Sequence, residues 1–295
     1  MNDFTGMNTK KCLICKQGQK NECLHWHRDS DSGSIWVYCV GKCKRGYSIY
    51  EYTAKAGLSL REFLKNDFDF EEAKPNEVNR MEWPSWFLPM FDPRAKAGLD
   101  YVNGRGLDST VGDMFYDAED HGIVFPYYVG STFVGAQIRF IEPRVDQDGD
   151  VQKMNTLPGT RLGLLFYNYV QTPLPDTTRC IVVCEGALNA LSIQQALNSI
   201  YGTMSNPYRC VATSGCNLTE HHADVLKELR GEGRKIVLAY DFDEAGKKGI
   251  RRAIDRQAIT HIALTGDDEK DWNDVMQELG NYELAKFFLN GIQKV

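Results

Sequence analysis

The sequence predicts an α/β protein built in three parts: a small N-terminal β module, a mixed α+β region carrying basic residues, and an α/β domain with a mainly parallel sheet. Three observations predict it. Five of the nine cysteines fall within residues 12–43, a density suited to a module too small to be held by an apolar core alone. Two alternating runs near the middle of the chain are joined by Gly130-Ser131, a hairpin signal. Beyond residue 179, short apolar runs alternate with helix-like stretches, the pattern of parallel strands covered on both faces.

The N-terminal module comes first. Cys12-Leu-Ile-Cys15 and Cys39-Val-Gly-Lys-Cys43 are two close pairs, and the alternating segment 34–38 between them reads as a hairpin strand. Two thiolate pairs brought together by a hairpin make a tetrahedral zinc site that stabilises a small fold. Cys23, His25 and His27 stand nearby as competing ligands. Lys10, Lys11, Lys42, Lys44 and Arg45 surround the pairs, with Trp26, His27, Trp36 and Tyr38 interleaved. Cations for phosphates beside aromatic faces for unstacked bases compose a single-strand binding surface, although Trp36 and Tyr38 serve equally well as the ribbon's own core. Residues 48–64 have helical periodicity and close a module of residues 1–64. Residues 65–82 are acidic, polar and Pro-containing, and read as a linker.

Residues 83–176 form the mixed basic region. A helix is expected over 93–103, ending at Gly104, followed by strands 123–129 and 132–140. Residues 177–295 form the parallel domain, with strands at 180–184, 209–213, 235–240 and 261–265. Cys180, Cys184, Cys210 and Cys216 lie in or beside these runs and read as small buried hydrophobes. Acids follow the strands: Glu185 after the first, Asp241 and Asp243 after the third, Asp271 after the fourth. Side chains at the carboxyl ends of an open parallel sheet line the crevice where ligands bind. Carboxylates there repel one another unless a cation lies between them, and hard oxygen ligands suit a magnesium-type ion that also holds phosphates. The chemistry indicated is metal-dependent phosphoryl transfer. Asp241 and Asp243, two apart, project to one side of extended backbone, and Gly186 and Gly246 allow sharp turns beside them. Asp267, Asp268 and Asp274 read as solvated loop or cap residues.

Bulk composition narrows the class. A hydrophobic fraction of 42% and a charged fraction of 25% are those of a soluble globular protein. No apolar run approaches a membrane span, and no signal-peptide core opens the chain, so a cytoplasmic protein with no membrane partner is expected. The net charge of −6 argues against a protein that coats nucleic acid. Its distribution is uneven: residues 1–55 hold nine Lys or Arg against five Asp or Glu, and the remainder twenty-five against thirty-five. A basic head on an acidic body suits nucleic-acid contact at one end and metal at the other.

The run Cys184-Glu185-Gly186-Ala187-Leu188-Asn189-Ala190, with Tyr240-Asp241-Phe242-Asp243-Glu244-Ala245-Gly246, resembles the Toprim domain of DnaG-type and bacteriophage primases and of type IA and II topoisomerases. Lys270-Asp271-Trp272-Asn273 looks like the third acidic motif of the primase branch, and Thr213-Ser214-Gly215 occupies the place of its small-residue loop. Upstream, Tyr101-Val102-Asn103-Gly104-Arg105-Gly106-Leu107 resembles the primase Arg-Gly-Leu motif. The hairpin ending at Gly135-Ala136-Gln137-Ile138-Arg139, and then Lys153-Met154-Asn155, are similar to segments that form a basic ridge on template. The chain departs from the family where a lysine precedes a glycine: Leu162 stands before Gly163, with Arg161 one step away.

The resemblance implies a stand-alone phage-type primase that makes short RNA primers on single-stranded DNA from ribonucleoside triphosphates. Glu185, Asp241, Asp243 and Asp271 would be catalytic, the first three holding two or three Mg²⁺ or Mn²⁺ ions. Arg105, Arg139 and Lys153 would bind template or nucleotide. Zinc, one per chain, would be held by Cys12, Cys15, Cys39 and Cys43. No Gly-rich loop ending in Gly-Lys-Ser/Thr is present, so a helicase motor is expected on a separate protein, and the length leaves no room for a large C-terminal helicase-docking bundle. Two rivals share parts of the pattern: a Toprim nuclease, and a non-catalytic zinc/Toprim recombination mediator that binds DNA. The mediator would need neither Glu185 nor a basic region between zinc and Toprim. Elemental analysis of protein purified without added metal should find one zinc per chain, and Cys12→Ser should lose it. Full zinc retention in both Cys39→Ser and Cys43→Ser would move the ligand set to Cys23 or the histidines.

Overall fold

The computed structural model describes residues 7–8, 14, 24–28, 35–39, 43, 45–48, 52, 55, 80–129, 132–145, 149, 151–160, 177–216 and 218–295. The chain divides into two units, 1–77 and 78–295. In the first, strands β1 (Met7–Asn8), β2 (Leu24–Arg28), β3 (Ile35–Cys39) and β4 (Arg45–Ser48) form an antiparallel sheet in that order. The alternation read in 34–38 appears as β3, whose Val37 and Cys39 are fully buried. Tyr47 of β4 meets the buried Tyr52 edge-on at 5.9 Å. The helix expected from residue 48 begins later, because Ser48 still pairs with Trp36 in the sheet. Tyr52 and Lys55 are helical, and the rest of 49–64 lies outside the described residues.

The second unit opens with an antiparallel sheet, β5 (Phe87–Pro89), β6 (Phe115–Asp117), β7 (Gly122–Val129), β8 (Thr132–Val145) and β9 (Val151–Thr156), in sequence order. The hairpin expected at 123–140 is β7–β8; its Gly130-Ser131 turn lies outside the described residues. Pro93 starts a 3₁₀ turn capped by Asp92, where its missing N–H costs nothing. Helix α1 (Lys96–Gly104) follows directly.

The parallel sheet comprises β10 (Cys180–Cys184), β11 (Tyr208–Ala212), β12 (Lys235–Ala239), β13 (His261–Ile262) and β14 (Gln293–Lys294), ordered β11-β10-β12-β13-β14. The first four are parallel, and β14 closes the edge antiparallel to β13. Helices α2 (Ala187–Tyr201), α3 (Glu220–Gly231), α4 (Glu244–Asp255), α5 (Trp272–Leu279) and α6 (Asn281–Gly291) connect and cover the strands. The fourth strand is far shorter than the expected 261–265. Its backbone pairing stops after Ala263 donates to the Leu238 carbonyl, and the chain turns away towards Gly266, whose φ of 78° suits glycine.

Strand alternation sorts the side chains into two cores. Cys180, Val182, Cys184, Cys210, Ala212, Val237 and Ala239 face α2, α5 and α6, and this core continues into the antiparallel region through Val102, Ile123 and Phe125. Ile181, Val183, Val211, Ile236 and Leu238 face the other way, packed with Leu226 of α3 and Ala253 of α4. The expectation of a parallel sheet covered on both faces is met. Cys180, Cys184 and Cys210 are buried as expected, but Cys216 is only half-buried, because it sits in the loop after β11 rather than in a strand.

Trp272, fully buried, is a keystone of the first core: its indole N–H donates to the Ala239 carbonyl at 3.1 Å and its ring meets Phe288 at 5.5 Å. Trp272→Ala removes both contacts and should cost about 3–5 kcal/mol in chemical denaturation followed by circular dichroism. Phe91→Ala, at a position 89% exposed, should change stability by no more than about 0.5 kcal/mol.

Candidate active site

The strand order brings the acids to one edge. β10 and β12 are neighbours in register Cys184↔Ala239, so Glu185 and Asp241 leave the sheet side by side. β11 lies on the other side of β10, and the connections through α2 and α3 run over opposite faces of the sheet. The gap between β10 and β12 is therefore a topological switch point, where such sheets hold ligands. Asp243 caps α4, accepting from the Gly246 amide at 2.7 Å. Asp271 caps α5, accepting from the Asp274 amide at 2.8 Å, while the Asp274 carboxylate reaches back to the Asp271 amide at 3.3 Å. Helix N-termini favour anions, so two of the four acids are held where their charge is best tolerated. Asp274, expected as a solvated loop or cap residue, completes the capping box with Asp271.

Gly246 and Gly186 differ in their roles. A Cβ at Gly246 would overlap the Asp241 carbonyl oxygen, so only glycine lets α4 start this close to the site. Gly186 has ordinary extended backbone, φ −121°, and a Cβ there would meet nothing. The chain does bend at Glu185 and Gly186 before α2, as expected, but this bend does not require glycine.

Electrostatics mark Asp241 as the centre of the cluster. Burial, followed by the charges of Glu185, Asp271, Asp243 and Asp274, pushes its carboxyl up to about 7. Burial and then Asp243 raise Glu185. Burial also raises Asp271, against the pull of backbone amides and of Arg105. Among the described residues no three His, Cys, Asp or Glu side chains stand close enough together to hold an ion as they are. The donor set nonetheless fits a hard divalent cation: only carboxylate oxygens, crowded by like charge that a cation would relieve. The Cys216 thiol borders the cluster, raised by burial and then by Glu185. In the small-residue loop after β11, the Gly215 amide donates to the Glu185 carbonyl at 3.0 Å. Ser214 there adopts φ 57° and is hydrogen-bonded to the buried Tyr127 hydroxyl of β7.

Behind Asp241 lies a chain of amides. Asn189 Nδ2 donates to Asp241 Oδ1 at 2.8 Å, and Asn189 Oδ1 accepts from the Asn273 backbone N–H at 3.3 Å. The Asn273 side chain donates to the Arg105 carbonyl at 3.0 Å and to Ser192 Oγ at 2.9 Å, and accepts from Arg105 Nη1 at 3.3 Å. Both asparagines are buried. Neither was expected as a site residue. The signal was a lone amide in the otherwise apolar run Ala187-Leu188-Asn189-Ala190-Leu191, where a polar group demands a buried partner.

Of the three basic residues expected to grip template or nucleotide, two meet at Tyr101. Its ring lies 5.6 Å from the Arg105 guanidinium, and its hydroxyl accepts from Arg139 Nε at 3.3 Å. Arg105 also stands 4.0 Å from Asp274. Lys153 is exposed on β9, one position from Met154, the partner of Arg139 across the sheet, and strand alternation sends it to the opposite face. Of the expected zinc ligands, Cys39 ends β3 and is buried, and Cys43 sits half-buried in the turn before β4. Cys12 and Cys15 lie outside the described residues, as do Cys23, Lys10, Lys11, Lys42, Lys44 and residues 161–163.

No curated protein matches the chain. Among solved structures it is similar to the primase fragment of the bacteriophage T7 primase-helicase protein, with 16% identity and a TM-score of 0.47 over 96% of this chain and 99% of that one. It is also similar to a chain in a structure of the bacteriophage T7 lagging-strand DNA polymerase with primase domains bound to an RNA/DNA hybrid and dTTP. There the identity is 18% and the TM-score 0.44, over 65% of this chain and 86% of that one. A family described as Toprim-like matches residues 182–276, the stretch from β10 into α5 that holds all four acids and both asparagines. Over residues 182–276, about a third of its length, the chain is thus similar to the Toprim-like family.

Proposed function

We propose that the protein is a primase-type nucleotidyltransferase that synthesises short RNA primers on single-stranded DNA. The observation that carries this reading is the convergence of Glu185, Asp241, Asp243 and Asp271 on the switch point of a Toprim-like segment. Divalent cations held there, by Glu185, Asp241 and Asp243 with Asp271 beside them, would neutralise triphosphate charge and acidify the attacking 3′-hydroxyl. The chain's own residues supply position. Helix caps fix Asp243 and Asp271, and Asn189 fixes Asp241. Arg139 and Lys153 offer positive charge to template or nucleotide phosphates, and Arg105 offers the guanidinium nitrogens that Asn273 leaves open. The N-terminal module, with zinc on Cys12, Cys15, Cys39 and Cys43, would help select the template site. The remaining partners are ribonucleoside triphosphates and a separate replicative helicase.

Incubation with single-stranded DNA, ribonucleotides and Mg²⁺ should yield short RNA products. Asp241→Ala should lower their synthesis by at least about a hundredfold, the scale of losing one preorganised electrostatic contact, while circular dichroism shows an unchanged fold. A well-folded Asp241→Ala protein with near wild-type synthesis would rule the site out.

Asp241 also sets a pH dependence of stability. Its folded pKa, about 7, lies above the ordinary 3.8, so the folded chain holds this proton more tightly than the unfolded chain does. The associated stabilisation is complete below about pH 4 and is lost as pH rises through about 7. Glu185 and Asp271, also raised, act in the same direction. Without divalent cations the melting temperature should fall between about pH 5 and about pH 8, and Asp241→Asn should flatten much of that slope. A cation-free melting temperature that climbs across the same window would contradict this electrostatic account.

A further inference from the structure

We infer that Asn189 and Asn273 are positioning residues, a buried pair that fixes the Asp241 carboxylate through a chain of hydrogen bonds anchored on the Arg105 segment. The inference rests on the reading of Asp241 as a cation-holding residue of the proposed active site. It assigns a role to two side chains that bear no charge and to a connection between the antiparallel and parallel parts of the second unit.

The chain of bonds has only one consistent direction. Asn273 is fully buried, and its amide is saturated. Its Nδ2 donates to the Arg105 carbonyl at 3.0 Å and to Ser192 Oγ at 2.9 Å. Its Oδ1 accepts from Arg105 Nη1 at 3.3 Å and from Gln277 Nε2 at 3.1 Å. Turning the amide over would set its NH₂ against two donors and its oxygen against a carbonyl, so the orientation is fixed. Ser192 agrees with this: its single proton goes to the Leu188 carbonyl at 2.8 Å, leaving a lone pair for Asn273. With Asn273 locked, its backbone N–H fixes Asn189 Oδ1 at 3.3 Å. Asn189 must then present Nδ2 to Asp241, where the bond is 2.8 Å. Each group buried along this path would lose a partner if its neighbour were truncated, a cost of about 1–3 kcal/mol per unsatisfied group.

Neutral donors suit this place. A lysine or arginine touching Asp241 would cancel the negative charge that draws a cation, whereas an amide restrains the carboxylate and leaves its charge intact. Partners behind a metal-holding carboxylate orient it in this way, and their loss typically weakens metal affinity about tenfold to a hundredfold.

The test is Mn²⁺ binding to the full chain, followed by electron paramagnetic resonance of free Mn²⁺ well below the melting temperature, beside primer synthesis as a function of Mg²⁺. Asn189→Ala and Asn273→Ala should each weaken Mn²⁺ binding about tenfold or more, and the double variant should be no weaker than the worse single one, because both act through one chain. Asn206→Ala is the control. It removes another buried amide, bonded to Asn198 at 2.8 Å at the opposite end of the strands, and should leave Mn²⁺ affinity within about twofold even where it lowers the melting temperature. If Asn273→Ala does not fold, Asn189→Ala leaves the side-chain bonds of Asn273 in place and carries the same expectation. Wild-type Mn²⁺ affinity in folded Asn189→Ala, or fully additive losses in the double variant, would overturn the inference, as would a folded wild-type chain that binds no Mn²⁺. A wild-type chain that binds Mn²⁺ through Asp241 but makes no RNA would remove the primase reading alone, and the affinity losses would still support the positioning role.

Discussion

Four carboxylates crowded at the edge of a buried parallel sheet form the arrangement on which the rest of this structure turns. Each would be easier to keep apart and in water, and Asp241 is pushed up to about 7 by burial first and by its neighbours' charges second. The surroundings offset that resistance piece by piece. Two helix N-termini take Asp243 and Asp271. A glycine at 246 lets α4 begin against the Asp241 backbone. Trp272 pins the start of α5 to the end of β12, two residues before Asp241. The asparagines restrain the central carboxylate without neutralising it.

The same region shows how two kinds of sheet share one core. The antiparallel strands and the parallel domain meet through Val102, Ile123 and Phe125 on one side and Val182 and Leu191 on the other. Polar ties cross at the same junction: Gln195 of α2 donates to the Gly106 carbonyl and accepts from the Asp108 amide. Arg105 thus sits at a packed junction, half-buried between Tyr101, Asn273 and Asp274. That setting explains why its guanidinium is less open to solvent than a residue reserved for phosphates alone.

Much of this was legible in the sequence, for identifiable reasons. β10 is an unbroken apolar run and β12 is apolar after Lys235, so their ends, and with them Glu185 and Asp241, could be located to within one residue. The β7–β8 hairpin was visible in its alternation. What escaped had weak local signals. β13 has only two paired residues, and its extent is decided by where the chain leaves its neighbour, a tertiary matter. β14 is polar and exposed, and pairs with β13 by two residues. Gly186 does sit in a bend beside Glu185, but its extended backbone would accept other residues there. The asparagines were hidden for a different reason: an amide acquires meaning only from partners that folding brings to it.

Those partners are far away along the chain. Asn189 and Asn273 are separated by 84 positions, and Arg105 and Asn273 by 168. During synthesis Asn273 emerges after almost everything it binds, and closing such long loops is the slow part of folding. Until β10 and β12 pair, Glu185 and Asp241 lie on separate segments, and until Asn273 docks the Asn189 amide beside Asp241 lacks its anchor. The complete arrangement of acids and amides is therefore a property of the finished fold, absent from a nascent or partly folded chain.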